Sequence, residues 1–217
     1  MSSRVHLEHD QPPHFRTNRP LQVMVGFYIA FWIAMAINPV FPYDWWIENL
    51  LVFATAAAAF GTYRWFRFSN LSYFLLVVFM TLHTYSAHYA YTQVPFEWLN
   101  ELFGRTDRMN FDRLVHLAYG LLITYPIWEL LRRAAGVRGG WAHLLTVMVI
   151  LGTGAFYELL EMWVARILAP EVGDAFVGTQ GDIWDAQIDI ALAMYGAIGV
   201  LALTALLGRL GIRPRFD

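Results

Sequence analysis

The 217-residue sequence contains no cysteine. That absence removes a disulfide framework, a thiolate metal site and a cysteine nucleophile, so any chemistry must use His, Asp, Glu, Tyr, Ser or Thr. Lysine is missing too, and all fifteen basic residues are arginine. Against seventeen acids they leave a formal net charge of -2, and no basic footprint points to a nucleic-acid partner. Charged residues make up only 15% of the chain and hydrophobic ones 58%, more apolar surface than a soluble domain of this size can bury. The excess must face lipid. No HExxH, P-loop or G-x-S-x-G string occurs, no segment recurs at a fixed period, and no long polar linker divides the chain.

What the sequence does hold is a series of apolar runs long enough to cross a hydrocarbon core. They extend from Pro20 to about Asn38, Trp45 to Tyr63, Leu71 to Tyr91, Phe111 to Leu131, Trp141 to Met162 and Ile183 to Leu207. A chain in lipid must satisfy its backbone internally, so every run is expected to be helical. The expected fold class is all-α, an integral membrane bundle of about six transmembrane helices. It forms a single domain over 19–217, after a flexible cytoplasmic tail over 1–18 that carries His6, His9 and His14. Ala34, Met35 and Ala36 spell a signal-peptidase site, but the polar lead before the first run and the bulky Trp32 favour an uncleaved anchor.

Arginine sets the orientation. Arg4, Arg16 and Arg19 precede the first run, Arg64 and Arg67 join the second to the third, Arg132, Arg133 and Arg138 join the fourth to the fifth, and Arg209, Arg213 and Arg215 follow the sixth. Both termini are therefore expected in the cytoplasm of a bacterial inner-membrane protein. The outer side then holds thirteen acids against four arginines, a charge of -9, and the inner side eleven arginines against four acids, a charge of +7. Trp45, Trp46, Tyr89, Tyr91, Trp98, Trp163 and Trp184 fall near the outer boundary and Trp65, Trp128 and Trp141 near the inner one, which reads as an interfacial belt. Gly152, Gly154, Ala193, Gly196, Ala197 and Gly199 read as close-packing positions between helices.

Depth singles out a few polar residues. His83, His116, Glu158 and Asp189 each lie one to two turns inside the outer end of a different run. Intramembrane ionisable groups cost roughly 2.5–3.5 kcal/mol each on insertion scales, so they should face the bundle interior and one another. Asp112 and His116 are four apart, Glu158 and Glu161 three apart, and Asp182, Asp185 and Asp189 follow at three and seven, so each set shares one helix face. Plainer roles compete. Asp182 and Asp185 suit a helix N-terminus, and Glu158 and Glu161 could pair with Arg113 or Arg166. Six carboxylates in one low-dielectric pocket nevertheless need a metal ion, an arginine or shared protons.

The strings HTYSAHYAYTQVP (83–95), FDRLVHL (111–117), FYELLE (156–161) and TQGDIWDAQID (179–189) together resemble the YjdF-like family of bacterial inner-membrane proteins. The resemblance covers about Gly26 to Gly199 and implies a multi-span inner-membrane protein; it carries over no catalytic residue. A fainter similarity is to VanZ-like membrane proteins, whose pattern Asp112, His116, Glu158, Asp185 and Asp189 would fill.

The expectation is a polar site opening to the periplasmic side that binds a divalent metal, with Zn, Mn or Fe preferred because imidazole joins the carboxylates. His83, His116, Glu161 and Asp185 are the expected metal ligands, and Glu158, Asp189 and Asp112 the catalytic residues. The matching activity is that of a hydrolase or transferase acting on a lipid or envelope substrate. A proton- or cation-coupled transporter and a scaffold with a buried polar network are the alternatives.

Overall fold

The computed structural model describes residues 12–91, 93–96, 110–167 and 182–210. The side chain of Asn18 accepts from the Leu21 amide, and a proline sits in the first turn; together they open α1, Arg19–Met35. A proline also leads α2, Pro42–Thr62. Ser69 caps α3, Asn70–His88, by accepting from the Ser72 amide at 3.3 Å. Three longer helices follow, α4 over Phe111–Arg133, α5 over Gly140–Ile167 and α6 over Asp185–Arg209. No strand occurs among the described residues. With 23, 28 and 25 residues, α4, α5 and α6 are each long and apolar enough to cross a membrane. At ~1.5 Å per residue the apolar α1, 17 residues, reaches ~26 Å.

Helix α4 is the centre of the bundle. It packs against α3, α5 and above all α6; α3 also carries α1 and α2, and α5 leans on α6. Because α4 is enclosed, its buried positions run all round, from Phe111, Val115 and Ala118 to Ile123, Tyr125 and Trp128. Its contact with α6 is a backbone contact. A Cβ on Gly120 would stand 2.0 Å from the Ala193 carbonyl oxygen, and one on Gly196 would stand 2.8 Å from that of Leu117. Ala193 and Ala197 are fully buried at this seam. By contrast, a Cβ on Gly152, Gly154 or Gly199 would meet nothing within 4 Å, so these three glycines mark no close contact.

Side-chain bonds fix which helix ends lie together. At one end Asn18 donates to Asn70 at 2.8 Å, and His14, from the last part of the N-terminal lead, sets its ring 5.7 Å from that of Tyr63. There the fully buried Glu129 accepts from the Ser69 amide and hydroxyl, each at 2.8 Å, and also from Ser72 and Arg133. At the other end the Val40 amide donates to the His88 carbonyl at 3.0 Å, and His88 Nδ1–H donates to that of Met35 at 2.7 Å. Among the described residues, eight arginines lie at the first end with Glu129 as the one acid, and eight acids lie at the second with Arg113 and Arg166.

The aromatic belt holds in part. Trp46, Trp65, Trp141, Trp163 and Trp184 are exposed, but Trp45 is buried against Trp32 and His88, and Trp128 is buried in the core. Trp98 and the loop acids Glu97, Glu101, Asp107, Glu171 and Asp174 lie outside the described residues.

Candidate functional site

The first turns of α4 carry Asp112 and His116 one above the other, with His116 Nε2 3.5 Å from Asp112 Oδ1. From α5, Glu158 brings Oε1 to 3.4 Å from the same nitrogen. From α6, Asp189 completes the group: one ligand atom each of Asp112, His116 and Asp189 lies within 4.8 Å of the others. The Gly120–Ala193 contact explains the convergence, because Gly120 lies one turn beyond His116 and Ala193 one turn beyond Asp189. Asp189 is only 2% exposed, and its Oδ1, like Oε1 of Glu158, has no hydrogen-bond partner among the described residues. A buried carboxylate oxygen without a donor is costly unless a cation or a shared proton offsets its charge.

Arg113 does not supply it by direct contact. Its Nη2 donates to Asp182 Oδ2 at 2.7 Å and approaches Asp185 Oδ1 at 3.5 Å, while Asp182 Oδ1 accepts from the Trp184 amide at 3.1 Å. This clamp ties the start of α6 to the first turn of α4. Asp185, expected as a ligand, therefore sits in an ion pair beside Asp112, His116 and Asp189, and Arg113, one of the two arginines expected for Glu158 or Glu161, is held by other acids.

His83, another expected ligand, is fully engaged elsewhere. Its Nε2–H donates to the Glu48 carbonyl at 3.0 Å, so Nδ1 is left to accept from the Tyr91 hydroxyl at 2.5 Å. Tyr91 reaches back because Ala90 and Tyr91 both adopt left-handed backbone angles, φ 49° and 54°, just past the end of α3. Beside them Tyr157 donates to Glu48 Oε2 at 3.0 Å and sets its ring edge-on to His116, centroids 6.3 Å apart. Glu161 follows Glu158 by three residues on the same face of α5.

Glu48, Tyr91 and Tyr157 are thus site residues that sequence reasoning missed, while Arg113, expected beside Glu158 or Glu161, pairs with Asp182 and Asp185 instead. By sequence, Glu48 counts among the thirteen outer acids and Tyr91 among the belt residues. The available signal for Tyr157 was its position next to Glu158, and for Glu48 its place nearly two turns inside α2.

Helices as long and apolar as α4, α5 and α6, with no strand among the described residues, mark a membrane protein. More narrowly, the chain belongs to the family described as predicted membrane protein (DUF2238), which matches it over residues 20–209. It is 31% identical over 167 residues to the inner membrane protein YjdF of Escherichia coli (strain K12), covering 74% of this chain and 77% of that protein. These matches bear out the family resemblance drawn from the four sequence strings. No solved structure matches it significantly.

Proposed function

We propose that the protein is an inner-membrane bundle whose six helices all cross the bilayer, with 19–217 as one domain and both termini in the cytoplasm. In this orientation the acid-rich end faces the periplasm and binds one divalent metal ion, Zn, Mn or Fe. Asp112, His116 and Asp189 are the protein ligands, and Glu158 stands beside them as proton carrier; Asp112 and Asp189 thereby move from a catalytic to a ligating role. Three protein ligands leave a coordination position open, as catalytic metal sites require. The metal would polarise a phosphoryl or carbonyl oxygen and activate water, which suits a hydrolase or transferase acting on a lipid or envelope substrate.

The observation that carries this reading is the convergence of the three ligand atoms within 4.8 Å around donor-less carboxylate oxygen. Transport finds less support. Glu129, the acid a polar route would need at the opposite end, is engaged by donors from Ser69, Ser72 and Arg133 and acts as a structural anchor. Elemental analysis of protein purified without chelators tests the proposal. About one equivalent of divalent metal is expected, and His116→Ala combined with Glu158→Ala should lose it. Wild-type protein without stoichiometric metal would overturn the reading.

A further inference from the structure

The arginine-rich end has a feature that the metal site does not use. Where α4 turns into α5, Arg132 stacks its guanidinium 4.9 Å from the centre of the Trp128 ring, and the His143 ring lies 6.4 Å from the same ring. Arg132 is exposed and, unlike Arg133, has no acidic partner among the described residues. Two left-handed glycines, Gly136 at φ 67° and Gly139 at 61°, hold the connecting turn that carries Arg138. Helix α5 then starts with no acid in its first turn, so its positive dipole end is not neutralised locally. Directly beyond His143, a groove of about 330 Å³ runs between α5 and α6, lined by His143, Leu144, Val147, Ile198, Leu201 and Ala202.

We infer that this corner is a seat for an anionic phospholipid, whose headgroup meets Arg132, Arg138 and His143 and whose acyl chain lies in the α5–α6 groove. Charge complementarity selects the headgroup, since the corner gathers two arginines, a histidine and a helix N-terminus with no described acid among them. The adjoining apolar groove selects a lipid over a free anion. The inference is independent of the metal site, which lies at the opposite end.

Native mass spectrometry of the full chain in detergent tests it, with phosphatidylglycerol, phosphatidylcholine and inorganic phosphate as separate probes. Phosphatidylglycerol should bind about tenfold more tightly than phosphatidylcholine, and Arg132→Gln should weaken it about fivefold. Ala202→Trp, which fills the groove from an exposed position, should remove the adduct. Arg64→Gln, at the same end but stacked on Trp65, should leave binding unchanged. Equal binding of the two lipids, no effect of Arg132→Gln, equal losses from Arg64→Gln and Arg132→Gln, or an adduct that survives Ala202→Trp would overturn the inference. So would competition by inorganic phosphate as strong as that by phosphatidylglycerol, which would mark a free-anion site.

Discussion

A buried imidazole has two nitrogens to satisfy, and in His83 both are taken, one by the Tyr91 hydroxyl and one by the Glu48 carbonyl. In His116, Nε2 instead faces carboxylate oxygens of Asp112 and Glu158 at 3.5 and 3.4 Å. The two histidines should therefore fail differently. His83→Gln is expected to cost about 1–3 kcal/mol of stability through broken buried hydrogen bonds while leaving the metal content intact. Thermal unfolding followed alongside metal analysis checks this, and a variant that folds normally but loses its metal would make His83 a ligand after all. Depth in the sequence marked both histidines equally well. What separated them was a left-handed turn and a carbonyl from another helix, and no spacing within the chain encodes either. The pairing of Asp112 with His116 was legible because it depends only on one helical turn.

Helices meet where side chains allow their backbones to approach, and α4 and α6 meet where Gly120 faces the Ala193 carbonyl. With a substituted Cβ only 2.0 Å from that oxygen, Gly120→Ala should force the helices apart and cost about 1–3 kcal/mol. The same displacement moves Asp189 away from His116, so the proposed metal binding should weaken in parallel. Gly152→Ala, in open space, should be neutral or slightly stabilising, because alanine favours a helix interior. Comparing the two melting temperatures in detergent decides the matter, and equal melting would argue against the close seam. Small residues on α6 were readable as packing positions, and Ala193, Gly196 and Ala197 serve as such. Gly120 carried no comparable signal, because a single glycine within an apolar run gains meaning only from the helix opposite. Trp45 misled for a related reason: α2 begins at Pro42, and its first turn turns this indole inward rather than toward the interface.

The described residues form an apolar bundle with most arginines gathered at one end and all carboxylates but Glu129 at the other. That division was visible from the order of arginines and apolar runs, because length and hydropathy dictate where a membrane chain turns. The helix limits accordingly fall within a few residues of the apolar runs for most elements, with α5 extending further, to Ile167. The composition of the site was less legible, since Glu48 on α2, Tyr157 on α5 and Arg113 on α4 enter it through contacts between distant segments. Family membership supports the membrane setting and assigns no chemistry to any residue. The presence of one divalent ion among Asp112, His116 and Asp189 is tested most directly by X-ray absorption at the edge of whatever metal copurifies with the full chain. A first shell of one imidazole nitrogen with carboxylate and water oxygens at about 2.0–2.2 Å is expected if the ion is zinc. A shell containing sulfur or several imidazoles, or protein with no stoichiometric metal to measure, would contradict it.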